Sequence, residues 1–172
     1  LQSKIDSPVG GFAMPLPITQ TVLQRRLDYA EQAVTIYAHQ LLDDHWAAGA
    51  SFALRDSSLE MLFPEIPVAA NASANRTEHA TLGQLNGYLL FNHPSGFFSR
   101  FDANWYSQRN RGYSPDIPGD DFPQFDILVG CRLPRRLGSV TLGVLNLNDR
   151  DYRLNPLNAY SEMPRARVFM AK

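Results

Sequence analysis

One cysteine, Cys131, occurs in 172 residues, which excludes an internal disulfide framework and any metal site built from several cysteines. The chain also lacks any run of eighteen apolar residues, so no segment reads as a transmembrane helix. Charge of one sign is missing too: 16 basic and 17 acidic residues leave a formal net charge of −1, which argues against nucleic acid as a partner. The four histidines, His39, His45, His79 and His93, form no i,i+4 pair. No zinc signature, GxSxG, P-loop or GxGxxG is found. No enzyme, metal or cofactor is expected. A membrane is not excluded, because a spanning strand needs only about 9–11 alternately apolar residues.

What the chain does have is alternation. In FFSRFDANWYSQ, residues 97–108, Phe97, Ser99, Phe101, Ala103 and Trp105 fall on one face of a strand, and Phe98, Arg100, Asp102, Asn104 and Tyr106 on the other. The same pattern predicts strands over about 27–42, 45–55, 80–92, 122–133 and 140–147, with a last one starting in 165–172. In the second of these Trp46, Ala48, Ala50, Phe52 and Leu54 share a face; in the third, Leu85, Gly87, Leu89 and Phe91 oppose Gln84, Asn86, Tyr88 and Asn92. Residues 1–25, rich in Pro and Gly, read as irregular loop.

The links between these strands alternate in length. Asp43-Asp44, 93–96 and 134–139 are tight, whereas 56–78, the loop RNRGYSPDIPGDD and 148–164 are long. Outer-membrane barrels have this asymmetry, with short periplasmic turns and long loops outside. The expectation is therefore an all-β, antiparallel up-and-down transmembrane β-barrel. Seven strands are an odd count where single-chain bacterial barrels are even. Residues 1–172 are accordingly read as one partial barrel domain, the C-terminal piece of a larger barrel, in the outer membrane of a Gram-negative bacterium.

Residues 140–152, VTLGVLNLNDRDY, resemble the penultimate strand of TonB-dependent outer-membrane receptors, where an Asn-Leu-x-Asp core and a nearby Tyr close the strand. That core is Asn146, Leu147, Asn148 and Asp149 here, with Tyr152 following; Asn148 departs from the family's usual Phe. Pro164 and Arg165-Ala166-Arg167 look like the approach to the family's last strand. The resemblance is closest over 97–172. It implies a wall of a receptor for uptake of an unidentified ligand, with outer-membrane lipid as a partner and a TonB-type energy-coupling complex reached through regions outside this sequence. LNPLN followed by Met-Pro-Arg is also similar to barrels fused behind tetratricopeptide repeats, which implies a non-transporting anchor. A soluble all-β binding domain is the reading from another class.

Candidate residues follow from the two faces. His39, Arg55, Gln84, Asn86, Arg100, Asp102, Asn104, Gln124, Asp126 and Arg132 are expected to line a lumen, where they either meet ligand or pair across strands. Trp46, Phe97, Phe98, Trp105, Tyr106, Phe122 and Phe125 lie near predicted strand ends and are candidates for interfacial aromatic girdles. Asp116, Asp120 and Asp121 lack the spacing of a calcium loop and read as a solvated acidic stretch. Cys131 falls in the apolar register. Sequons at Asn71 and Asn75 carry meaning only in a secreted eukaryotic domain.

Overall fold

The computed structural model describes residues 2–9, 23–67, 69–71 and 74–172. They form one eight-stranded sheet whose strands are hydrogen-bonded in chain order. The strands are β1 (Gln2–Val9), β2 (Leu23–Leu41), β3 (Trp46–Leu62), β4 (Arg76–Asn92), β5 (Phe97–Arg111), β6 (Asp121–Arg132), β7 (Ser139–Leu145) and β8 (Val168–Ala171). Every neighbouring pair is antiparallel. Among the described residues the one helical piece is a 3₁₀ turn at Pro134–Arg136.

Register lines up the alternating sequences into rows. Ile36, Phe52, Leu85, Trp105 and Pro123 stand in one row across β2 to β6. Ala48, Leu89, Phe101, Ile127, Val144 and Phe169 form another across β3 to β8. These rows are the outer face, and its large apolar side chains are open: Phe52, Leu85 and Trp105 are 40%, 45% and 39% exposed. The opposite, inner face holds the buried residues. Leu82, Tyr106 and Phe122 form its core with Tyr152 and Leu154, flanked by Tyr160 and Met163.

Several expectations change. The strands number eight rather than seven, because part of 1–25 is not loop: β1 pairs along β2, from Gln2 opposite Ala30 to Val9 opposite Leu23. Backbone hydrogen bonds to a neighbour carry this strand, and local composition does not announce them. The rest of that expected loop, 10–22, lies outside the described residues, as do residues 72–73 of the first sequon. The link expected over 56–78 shrinks to 63–75, since pairing runs on through polar residues such as Ser57 opposite Ala80 and Ser58 opposite His79. β7 stops at Leu145, two residues early, because Asn146 turns into the left-handed region with φ 52°. β8 starts at Val168, inside the 165–172 segment expected to open a last strand; Arg167 before it is tied to the preceding turn, its N–H donating to Asp149 Oδ1 at 2.8 Å and its Nε to Leu147 O at 3.1 Å.

Pro123 shows how a proline fits inside β6. Its carbonyl and that of Phe125 point away from β5, toward a stretch where β7 no longer pairs. A missing N–H there breaks no ladder. Asn148 takes the place of a strand: its amide donates to Pro123 O at 2.9 Å and its Oδ1 accepts from Phe125 N–H at 3.3 Å. Leu147 N–H adds a bond to Phe125 O at 2.7 Å.

The sheet is open in this chain. β1 reaches only as far as Ala30, so 31–41 of β2 has a bare edge among the described residues, and β8 has one too. Val34, Ile36, Tyr37 and Leu41 on that β2 edge are more than half exposed. Unpaired edges of this kind present a row of free backbone N–H and C=O groups.

Candidate functional site

Of the ten polar residues expected to line an interior, Arg100, Asp102, Asn104, Gln124, Asp126 and Arg132 sit on the inner face of β5 and β6, and His39, Arg55, Gln84 and Asn86 on the same face of β2, β3 and β4. Asp102 stands opposite Asp126 and Asn104 opposite Gln124. Arg100 grips Asp102, two residues along its own strand, with Nε 2.8 Å from Oδ2 and an Nη 2.7 Å from Oδ1. Arg100 also lies over the Tyr88 ring, 5.2 Å from its centroid. Tyr88 in turn meets His39, with its hydroxyl 3.1 Å from Nδ1. Asp126 accepts the Asn146 N–H at 2.7 Å, and Arg132 donates to Asn92 Oδ1 at 2.9 Å while covering the Phe98 ring. The arrangement is a ladder of local pairs rather than one converging cluster. Gln124 stands outside these pairs: it is fully buried, and both its amide atoms lack a hydrogen-bond partner.

The turn after β7 is locked by Asn146, which is fully buried. Its amide nitrogen donates to Arg150 O and to Pro164 O, each at 3.0 Å, and its Oδ1 accepts from Arg150 N–H at 2.9 Å. Leu147 stays exposed. Asp149 has φ 53° and holds Arg167. Tyr152 stacks on Phe122 with centroids 5.1 Å apart, and its hydroxyl donates to Met163 O at 3.0 Å. Asn146, Asp149 and Tyr152 of the resembled motif thus fasten a loop; they do not extend a strand.

That loop, 146–167, folds back over the inner face at the long-loop end of the sheet. Gln108 and Asn158 are its main anchors. Gln108 Nε2 donates to Asn158 Oδ1 at 2.9 Å and to Asn155 O at 3.1 Å, while Gln108 Oε1 accepts from Asn155 N–H. Asn158 Nδ2 donates to Ser57 Oγ at 2.9 Å and to Ala80 O at 2.8 Å. Beside them the Tyr29 hydroxyl donates to Glu31 at 2.5 Å, and Arg55 pairs with Glu31 at 3.2 Å. Gln108, Leu154, Asn155 and Asn158 went unmarked in the sequence. Gln108 continues the polar face of Arg100, Asp102 and Asn104, so its spacing does not set it apart.

The aromatic candidates divide. Trp46 and Phe97 lie on the outer face at the short-turn end, where Phe91 sits 4.7 Å from Trp46 and 6.3 Å from Phe97, centroid to centroid. Trp105 marks the other end, its indole N–H donating to Asp121 Oδ1 at 2.8 Å. Phe125 is not at an end: it stands opposite Ala103 between these limits and stacks on Phe101 at 6.0 Å. Phe98, Tyr106 and Phe122 face inward, the last two stacking at 5.6 Å. Each lies one residue out of register with the outer set. Cys131 is exposed on the outer face, opposite Phe97 and Val140.

Asp120 is engaged by Arg150 at 2.9 Å and by Arg153 N–H at 2.9 Å. Asp121 accepts from Trp105 and from Ser107 Oγ at 3.0 Å. Among the described residues no three His, Cys, Asp or Glu side chains gather as metal ligands, and no helix is long and apolar enough to cross a membrane.

These features define a class by architecture: an antiparallel up-and-down sheet with an exposed apolar face, a polar face and one loop folded onto the latter. No family model, curated protein or solved structure matches the chain.

Proposed function

We propose that this sheet is the C-terminal wall of an outer-membrane β-barrel receptor, taking part in TonB-dependent uptake of a ligand. The observation that carries the membrane part is the outer face. Phe97 and Trp105 bound its apolar band on β5, eight steps apart. That is about 26 Å of strand at about 3.3 Å per residue, or roughly 20 Å of height at a tilt near 40°. A barrel's apolar band is about 25 Å tall. Above Leu54 and Trp105 the same face turns polar, to Asp56, Thr81 and Arg109. An aqueous sheet leaving Phe52, Leu85, Phe101 and Ile127 in water forgoes their burial, on the order of 2 kcal/mol per side chain; acyl chains supply it.

Closure supports the same reading. In lipid every backbone group needs a partner, so the bare edges of β2 and β8 call for further strands. With the short turns periplasmic, loop 146–167 lies at the outer mouth and narrows it from this wall. The receptor assignment rests on the resemblance over 97–172; the ladder of Arg100, Asp102, Asp126 and Arg132 then faces the path of ligand.

Partition of the expressed chain between buffer and detergent, with circular dichroism on the fraction that holds it, tests the proposal. Detergent-dependent solubility with a β-rich spectrum is expected. A cooperatively folded monomer in plain buffer contradicts it and makes the outer face an interface of another kind.

A further inference from the structure

Just above the apolar band, the outer face carries a cavity of about 420 Å³ lined by Asp56, His79, Thr81, Arg109 and Arg111. Register builds it: Asp56, Thr81 and Arg109 stand in one row, His79 and Arg111 in the next. Its one carboxylate is engaged, since Thr81 Oγ1 donates to Asp56 Oδ1 at 2.7 Å. Arg109 and Arg111 are exposed and, among the described residues, have no hydrogen-bond or ion-pair partner. The cavity therefore presents two free guanidinium groups against one occupied acid.

A second hollow of about 280 Å³ adjoins it on the apolar side. It shares Thr81 and Arg109 and continues between Phe52, Leu54, Gly83 and Trp105. Gly83 keeps it open, for a Cβ there would meet only the Ser107 carbonyl oxygen, at 3.8 Å. A bulky flat wall is thus interrupted at one position, directly below the two arginines.

We propose that the two hollows form one site for an anionic lipid whose headgroup ends in an uncapped phosphate, with no cationic group to offset its charge. The phosphate oxygens accept from Arg109 and Arg111, whose planar donors suit them, and an acyl chain lies over Gly83 between Leu54 and Trp105. An apolar ligand alone leaves the arginines idle, and a free anion leaves the groove empty. The shape and charge together select an amphiphile. The inference rests on the membrane reading of the outer face.

The protein has two tryptophans, so Trp46→Phe leaves Trp105 as the reporter inside the groove. Its fluorescence is measured in mixed micelles containing brominated phosphatidic acid or brominated phosphatidylcholine. Phosphatidic acid is expected to quench at lower mole fraction, on the order of fivefold per contributing arginine. Arg109→Gln with Arg111→Gln should erase the preference, and Gly83→Leu should weaken quenching by filling the groove; neither change breaks an ion pair. Equal quenching by both lipids in the parent, or a preference that survives loss of both arginines, overturns the site and leaves the membrane reading standing. Quenching by neither lipid overturns both. A preference abolished by equimolar inorganic phosphate gives the cavity to a free anion and overturns the lipid.

Discussion

Tyr152 lies nearly parallel to Phe122, 10° between planes, and completes a three-ring stack with Tyr106, whose plane is 8° from that of Phe122. Two of the rings belong to the sheet and the third to the loop that covers it. Arg165 closes the far side, 5.2 Å from the Tyr152 centroid. Tyr152→Ala is expected to cost about 3 kcal/mol, in the range for deleting a buried ring. Tyr152→Phe should cost about 1–2 kcal/mol, for the two hydrogen bonds its hydroxyl makes, to Met163 O and from Met163 N–H. Denaturant unfolding in detergent measures both, with proteolysis within 148–164 reporting release of the loop. Equal losses for the two variants contradict the stacking account.

Asn158 joins the loop to two strands through Ser57 and Ala80. Asn158→Ala strands those acceptors and should cost about 1–3 kcal/mol. Asn158→Asp should cost more, because a carboxylate replaces a donor 2.8 Å from the Ala80 carbonyl. The same unfolding assay ranks the two.

Asp43 is the chain's clearest acid-sensitive turn group. It accepts the backbone N–H groups of His45 and Trp46 at 2.7 and 2.8 Å, and these bonds hold its carboxyl below the usual carboxylate value. A carboxyl lowered on folding stabilises above its unfolded value, about 3.9, and loses that contribution as pH falls through the folded one. The midpoint difference between the parent and Asp43→Ala should hold steady above about pH 5 and close below about pH 4. A difference that grows on acidification reverses the sign and sinks the turn account.

Ala103 and Asn104 are neighbours on opposite faces of β5. An arginine at 103 falls amid Gly87 and Phe125 in the apolar band and should cost about 2–4 kcal/mol in a bilayer. An arginine at 104 joins the polar inner face and should cost far less. Folding yield into lipid vesicles compares them, and similar losses at both positions argue against a lipid-facing outer surface.

Alternation made the central strands legible. Phe97 to Trp105 and Trp46 to Leu54 occupy the faces their spacing predicts, because period two survives any curvature of the sheet. Strand ends were not legible, since apolar alternation marks the band whereas hydrogen bonding continues into Ser57, Ser58 and Glu60. β1 was hidden because its stretch lies in a Pro- and Gly-rich segment that reads as loop, and backbone pairing with β2 makes it a strand. The inner cover was illegible altogether. Tyr152, Asn155 and Asn158 meet Phe122, Gln108, Ser57 and Ala80 across long separations, and an Asn-rich stretch with prolines reads locally as solvent loop. The Asn146 motif was visible as a resemblance, while its role as a turn lock needed the left-handed backbone at Asn146 and Asp149.

The most direct test of the central claim is a nitroxide scan of β3 in lipid vesicles, one cysteine at a time over 46–54 in a Cys131→Ser background. Strong broadening by oxygen and little by a water-soluble nickel chelate is expected at 46, 48, 50, 52 and 54, with the reverse at 47 and 51, the inner-face positions that are neither buried like Ala53 nor crowded by His39 and Tyr88 like Gly49. Chelate access equal at both sets would contradict a face turned to lipid.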